Sequence, residues 1–198
     1  APDYRRHRPG CNRARPMFRL PPERPDDRDA VEMLFDLAFA PGRTALSAYS
    51  LREGVAPVAG LCTVARDEYD ALVGAVRVWP VRIGAGGAPA LLLGPIAVHP
   101  TRQGEGLGAM LMHETLARAR SAGWTRVLLV GDAPYYARFG FARAPARAID
   151  FPRPVNPERV LALELEPGAM AGLSGPVRPW SASEPVKTPE ESARGSEI

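Results

Sequence analysis

Apolar residues change period twice along the chain and divide it into three blocks. After a short extended piece around Phe18–Leu20, Val31, Leu34, Phe35, Ala38 and Phe39 recur at the i, i+3, i+4, i+7 and i+8 spacing of an amphipathic helix, which Pro41-Gly42 stops. The aspartates of the preceding PPERPDDRD run are the expected acceptors for the free N–H groups at that helix start. A weaker helical stretch covers about Thr44–Arg52. From Gly60 the spacing shortens to that of strands: Leu61–Ala65, Leu72–Ile83 and Leu91–Val98, separated by turn signals at Asp67–Asp70 and Gly84–Pro89. Strands joined by such short connections predict an antiparallel meander. The third block predicts a helix from about Gly106 to Ala122, a wholly apolar strand Val127–Val130, a short helix near Tyr135–Phe139 and a last strand near Val160–Glu164. A continuous apolar strand behind a helix is buried on both faces, so it belongs in the middle of a mixed sheet. The predicted class is α+β: a mixed, mostly antiparallel sheet flanked by helices.

Composition sets the limits of this picture. With 198 residues and 45% hydrophobic side chains, the chain has the size and the apolar content of one domain. Its net charge of +3 is unevenly placed: residues 1–16 hold five arginines against Asp3, and the remaining residues are close to neutral. The basic character therefore belongs to a head, and nucleic-acid binding is an expectation for that head alone. The head lacks apolar periodicity and ends just before Met17, which we read as a natural start, making residues 1–16 a flexible arm or upstream sequence. Residues Gly175–Ile198 are rich in Pro, Ser and Glu and read as a disordered tail, which leaves 17–174 as the domain. No apolar run approaches the roughly 18 residues of a membrane span, and no apolar stretch follows the basic head as in a signal peptide. A cytoplasmic protein is expected. Cys11 and Cys62 give neither a disulfide framework nor a zinc spacing, and no metal is implied.

The chemistry concentrates in LLLGPIAVHPTRQGEGLGAMLMHETL, residues 91–116. A strand ends at Val98, a turn follows at His99-Pro100, and Gly104, Gly106 and Gly108 stand where a helix begins. Glycines leave backbone N–H groups unshielded, and the positive end of the helix dipole favours an anion, so a phosphate or pyrophosphate site is the physical inference. On glycine spacing alone a flexible turn before a helix explains the segment as well. A dinucleotide fold requires G-x-G-x-x-G after the first strand of a βαβ unit, and a P-loop requires Gly-Lys-Ser/Thr; the order here, G-x-G-x-G after a meander, fits neither.

Gln103-Gly104-Glu105-Gly106-Leu107-Gly108 resembles the Q/R-x-x-G-x-G/A loop of the GNAT superfamily of N-acetyltransferases, and Tyr136-Ala137-Arg138-Phe139-Gly140-Phe141 resembles its Y-x-x-x-G-F segment. The resemblance runs from about Phe18 to Val177, and GDAPYYARFGF and LALELEPGAMAGLSGPVR are similar to the YhbS-like bacterial branch. It implies a sheet whose two central strands splay to admit acetyl-coenzyme A as co-substrate. It further implies that Arg102, Gln103, Gly104, Glu105, Gly106, Leu107, Gly108 and Ala109 hold the pyrophosphate. Gly94-Pro95 fits the family's strand bulge, and main-chain groups of Ile96, Ala97 and Val98 would face the pantetheine arm, where an N–H polarises the thioester carbonyl. Tyr136 takes the place of the general acid; the alternative is a buried aromatic with its hydroxyl bonded elsewhere. Tyr135 reads as structural, Asp132 as a helix cap, and Arg138 either meets a phosphate or is an exposed arginine.

No general base is assigned. The strand LLLGPIAV carries no glutamate, His99 reads as a turn residue, His113 as surface or packing, and Glu53, Asp67 and Glu68 have no spacing rule to choose among them. The acceptor, a small-molecule or protein amine, is expected against the first helices and the loops near Arg43–Leu51 and Arg66–Asp70. The alternative reading keeps the fold without catalysis, as an acyl-CoA-binding sensor or recruitment module. Nothing in the sequence fixes an oligomeric state.

Overall fold

A computed structural model of the chain describes residues 17–39 and 47–181; the basic head lies outside them. The first helical pattern forms α1 (Arg28–Ala38), entered through a single 3-10 turn at Pro25–Asp27. Asp27 stands at its N-cap but does not cap it: its carboxylate accepts from the Arg24 N–H at 3.0 Å and pairs with Arg66, so this side chain joins the helix entry to the sheet. Val31, Leu34 and Phe35 form its buried stripe. Of the weaker helical stretch, residues 44–46 lie outside the described residues, Ser47–Ser50 form α2, and Leu51 and Arg52 follow as a turn.

The meander appears as β1 (Thr63–Arg66), β2 (Leu72–Ile83) and β3 (Ala88–Val98), antiparallel in sequence. It is followed by α3 (Leu107–Ser121), β4 (Arg126–Val130), α4 (Ala133–Ala137), β5 (Ile149–Asp150), β6 (Val160–Glu164) and β7 (Gly175–Pro179). The sheet order is β5-β7-β2-β3-β4-β6, with β1 also on β2. β4 lies between parallel β3 and antiparallel β6, as its unbroken apolar run requires. The piece around Phe18–Leu20 contributes only a single bridge, Arg19 to Arg66.

One expectation changes. Gly175 does not begin a disordered tail: Gly175–Pro179 is a strand, Val177 pairs with Ile83, and Trp180 is buried edge-on to Trp124 with ring centroids 6.4 Å apart. The polar composition of the segment concealed two apolar side chains, Val177 and Trp180, that close the sheet. The remainder of that tail, 182–198, lies outside the described residues. The two-residue β5 also had no sequence pattern of its own.

Strand alternation sends Val76 and Val78 toward α3, while Ala75 packs with α1 and Trp79, Val81 and Ile83 join the second core on that side. In β3 the parity inverts. Leu91 and Leu93 lie in the α3-side core before Gly94-Pro95, and Ile96 and Val98 pack against it afterwards. The cause is a bulge: the β2–β3 register steps from Val78↔Leu93 to Val76↔Ile96, so two residues of β3 oppose Arg77 alone.

Candidate active site

β3 and β4 are paired at only two positions, Leu91↔Val127 and Leu92↔Leu128. Beyond these the strands part. The N–H of His99 donates to the Val73 carbonyl on β2 at 2.8 Å, so by alternation the main chain of Ala97 also faces β2, while that of Ile96 and Val98 faces the gap. Ala97 is itself buried against α1, which removes it from the residues that can present main-chain groups to the cleft. Gln103 Nε2 donates to the Val98 carbonyl at 3.5 Å and ties the following loop to the strand end. The gap between the strands holds a cavity of about 310 Å³, lined by Gly94, Pro95 and Ile96 on one side, Leu129 and Val130 on the other, and Tyr136 and Arg159.

At the end of this cleft, Gly104 and Gly106 have φ of 84° and 81°, which a β-carbon opposes, and a Cβ at either would meet nothing within 4 Å. Among the described residues none accepts a hydrogen bond from the N–H of Gly104, Glu105, Gly106, Leu107 or Gly108. These unclaimed donors open the 15-residue α3, so an anion of phosphate type finds both the donors and the positive dipole end it needs. The other loop residues have different work. The N–H groups of Arg102 and Gln103 donate to His99 and Pro100 carbonyls, that of Ala109 donates to Gly106, and Leu107 is buried in the core. The Arg102 guanidinium lies 2.7 Å from Asp67, with Glu68 and Glu105 at 3.8 and 3.9 Å. Asp67 is buried, which pushes its pKa up, but the Arg102 hydrogen bond and the N–H groups of Tyr69 and Ala71 outweigh this and hold it below the usual carboxylate range. Asp67 and Glu68 therefore brace the glycine loop and do not reach toward an acceptor. His99, as read from the sequence, is a turn residue whose Nδ1 accepts from Thr101 N–H at 3.3 Å.

Tyr136 projects from α4, one turn beyond β4. Pro134 lies in the first turn and Asp132 at the N-cap, where its main-chain carbonyl accepts from Tyr135 and Tyr136 N–H at 3.1 Å; its side chain makes no cap bond. Gly131 makes the position of Tyr136 possible. A Cβ there would overlap Tyr136 Cε2 and stand 2.7 Å from Cδ2, so the ring lies directly on the Gly131 backbone. Tyr135 and Phe141 flank it edge-on at 4.9 and 6.1 Å. Among the described residues none hydrogen-bonds the Tyr136 hydroxyl, which leaves it for the cavity it lines. Burial raises its pKa above the ordinary tyrosine value, Tyr135 adds to the rise, and Arg159 opposes it. The Tyr135 hydroxyl is 3.3 Å from the Cβ position of Gly108, at the start of α3. Arg138 is exposed and stacks on the Tyr135 and Phe139 rings at 4.2 and 4.9 Å, and His113 packs edge-on against Phe139 at 5.2 Å.

A larger cavity of about 680 Å³ adjoins the cleft and shares Tyr49, Arg52 and Pro95 with it. Glu32, Glu53, Arg28, Arg77 and Trp79 complete its chemistry-bearing wall. Gly131, Arg52 and Trp79 escaped the sequence reading, because a glycine after a strand and an arginine near a loop have many uses and only their spatial neighbours single them out. Among the described residues no cluster of three or more His, Cys, Asp or Glu side chains gathers as for a metal, and no helix is long and apolar enough to cross a membrane.

This arrangement has relatives. Residues 59–143 match the family model described as acetyltransferase (GNAT) domain. The chain is 30% identical over 122 residues, 62% of its length and 72% of the relative's, to the uncharacterized N-acetyltransferase YhbS of Escherichia coli strain K12. It belongs to the GNAT family. The crystal structure of Escherichia coli YhbS in complex with CoA is 26% identical and superposes with a TM-score of 0.71 over 85% of this chain and 91% of that one. A GNAT family acetyltransferase from Brucella melitensis, solved with acetyl-CoA, is 27% identical, with a TM-score of 0.63 over 85% and 99%. The splayed β3 and β4 are thus part of a GNAT sheet, and the chain is a GNAT N-acetyltransferase.

Proposed function

We propose that this chain transfers an acetyl group from acetyl-CoA to an amine by direct attack in a ternary complex, with Gly104–Gly108 N–H groups on the pyrophosphate and Tyr136 as proton donor. The single observation that carries the assignment is the continuity of three features: the unclaimed N–H groups at the start of α3, the gap where β3 leaves β4, and a tyrosine with an unbonded hydroxyl in that gap. The residues fit the cofactor: Gly104 and Gly106 leave open space where a β-carbon would project, and the cleft is walled by apolar side chains and the free edge of β3.

Acetyl-CoA supplies an activated acyl thioester. The main chain of Ile96 and Val98 presents the free edge of β3, and an N–H there polarises the acyl carbonyl as an oxyanion donor. The amine nitrogen bonds to the carbonyl carbon, the carbon–sulfur bond breaks, sulfur leaves with the electron pair, and the amine proton passes to solvent. The raised pKa of Tyr136 keeps its phenol protonated at neutral pH. A thiol with a pKa of about 8.5 is a stronger acid than this phenol, so Tyr136 donates a hydrogen bond to the departing thiolate and the sulfur takes its final proton from solvent. We place the reaction in the cytoplasm, where acyl-coenzyme A is made and consumed. Arg138, stacked beside the α3 start, is in our reading a supporting cation for a cofactor phosphate.

Thiol release and acetyl-CoA binding measured with an amine panel for wild type and Tyr136→Phe test the proposal. A loss of about 10- to 100-fold in kcat, the worth of one hydrogen bond to a charged group, with cofactor binding retained, is expected. Turnover indifferent to the substitution removes Tyr136 from the mechanism, and tight binding with no turnover on any amine replaces the enzyme by a binding module.

A further inference from the structure

We propose that Arg159 is a second catalytic residue, the cation that meets the thiolate leaving from coenzyme A in the cleft between β3 and β4. The inference rests on the acetyltransferase reading and deepens it. Arg159 lines the cleft together with Tyr136. Its main chain is held on both sides: the N–H donates to the Asn156 carbonyl at 3.0 Å, and the carbonyl accepts from the Gly131 N–H at 2.9 Å. Gly131 is also the residue on whose backbone the Tyr136 ring lies. One glycine therefore anchors both the phenol and the arginine. The next residue, Val160, pairs with Val130, so Arg159 stands beside the C-terminal end of β4, where the gap opens.

The charge of Arg159 is not spent on the protein. The residue is exposed, and among the described residues no hydrogen bond or ion pair engages its side chain. The acids nearest to this corner in sequence, Asp132 and Glu158, are exposed, and Glu158 lies 3.8 Å from Nε of Arg143. The cleft-lining residues that carry or can take a charge are Tyr49, Arg52, Tyr136 and Arg159, with no Asp or Glu among them. Arg52 belongs to the opposite wall, stacked over Trp79 beside Gly94; Glu32 and Glu53 line the adjoining cavity instead. The field of Arg159 reaches the phenol, where it works against the rise that burial imposes on Tyr136. When the carbon–sulfur bond breaks, the electron pair stays on sulfur, and a neutral phenol offers that charge a single hydrogen bond. Apolar walls solvate it poorly. A guanidinium beside it, protonated throughout, favours the thiolate with no proton moving to or from the arginine, and sulfur takes its final proton from solvent.

The test is the thiol of bound coenzyme A in wild type, Arg159→Gln and Arg159→Lys. Its ionisation is followed across pH by the ultraviolet absorbance of the thiolate, with the desulfo-CoA complex subtracting the protein's own tyrosines and thiols. A nearby opposite charge lowers an acid's pKa by about 1–3 pH units, and the exposure of Arg159 places the expectation at the low end. The thiol of wild type should therefore titrate about one pH unit below that of Arg159→Gln, with Arg159→Lys close to wild type. Acetyl-CoA, which carries no thiolate, should bind all three alike, while kcat falls by about tenfold in Arg159→Gln alone. The same thiol pKa in wild type and Arg159→Gln, or an Arg159→Lys protein that behaves as Arg159→Gln, overturns the proposal and leaves the transferase standing. A loss confined to KM for acidic amines, with the thiol unmoved, also overturns it and makes Arg159 a reader of the acceptor. A thiol pKa that depends on Arg159 in a protein that turns over no amine supports the cation and refutes the transferase.

Discussion

Gly131→Ala asks whether Tyr136 acts through its position. The Gly131 backbone has no left-handed φ that alanine would resist, so the perturbation is the methyl group alone. That methyl would overlap Cε2 of Tyr136, stand 2.7 Å from Cδ2 and 3.0 Å from Leu129 Cδ1. Carbon atoms pack at about 3.5–4.0 Å, so the ring must withdraw by roughly 1 Å. Tyr135 and Phe141 stand against the ring edge-on, which restricts the retreat. Overpacking of this kind costs about 1–3 kcal/mol of stability, and a displacement of about 1 Å at a reacting group costs roughly 100-fold in rate. We expect kcat for acetyl transfer to fall to near that of Tyr136→Phe and the melting temperature to drop. In a Tyr136→Ala background the methyl has no ring to displace and only the Leu129 contact remains, so adding Gly131→Ala there should lower the melting temperature much less than in wild type. Wild-type kcat in Gly131→Ala, or the same loss of stability in both backgrounds, would refute the reasoning.

Gly106→Val forces a β-branched residue into φ of 81° at the N-cap of α3 and projects its side chain into the open space assigned to the pyrophosphate. Calorimetry should show CoA affinity falling by about tenfold or more, since a side chain in that space displaces the phosphate from N–H donors worth roughly 1.5–3 kcal/mol each to a charged acceptor, while the backbone strain of roughly 1–2 kcal/mol lowers stability; unchanged affinity would remove the phosphate-loop assignment. Tyr136 has a raised pKa, so its protonated form is the one the fold favours; its contribution is fully present below the ordinary tyrosine value and is lost only as pH rises through the raised folded value. The alkaline fall in kcat due to Tyr136 should therefore lie above about pH 10, and a fall near neutrality that disappears in Tyr136→Phe would contradict this. A chain ending at Ser174 loses β7 and the buried Trp180, whereas one ending at Ser181 keeps both. Thermal melts should place the shorter chain several kcal/mol below the longer, since deleting a buried tryptophan alone costs about 3–5 kcal/mol; equal melting would return the segment to the tail.

The strands and helices whose periodicity runs for many residues were legible. β2 spans Leu72–Ile83 and β6 Val160–Glu164 as the apolar pattern indicates, and α3 differs from its expected range by one residue at each end. What escaped were pieces that exist only through tertiary pairing. β7 has two prolines and one buried side chain in five residues, and it is a strand because the edge of β2 at Val81–Ile83 pairs with it. The carboxylates of Asp27 and Asp132 read as caps from their positions, yet neither caps its helix. Asp27 is drawn to Arg66, 39 residues away, where a charge-assisted bond outweighs a local one. The glycine loop was legible because its requirement is local; Gly131 was not, because it matters through the ring that lies on it.

The concentration of formal positive charge in the head now has a structural counterpart. In the described body arginines stitch loops together instead of forming a basic surface at the anion site. Arg118 donates to the Leu20 carbonyl at 2.6 Å and to Thr63 Oγ1 at 3.0 Å, joining α3 to the chain start and β1. Arg126 donates to the carbonyls of Ala169 and Pro89 at 2.6 and 3.0 Å, fastening the approach to β7 against β3 and β4. Arg102, the cation nearest the glycine loop in sequence, is bound to Asp67 and so braces the β1–β2 turn against that loop. In the proposed phosphate site the loop's attraction for an anion rests first on backbone dipoles, which do not titrate and whose direction is fixed by the helix they open, with Arg138 in support. The bracing arginines contribute to binding indirectly, because a dipole site attracts only while its N–H groups converge, and it is the Asp67–Arg102 brace that restrains the loop carrying them.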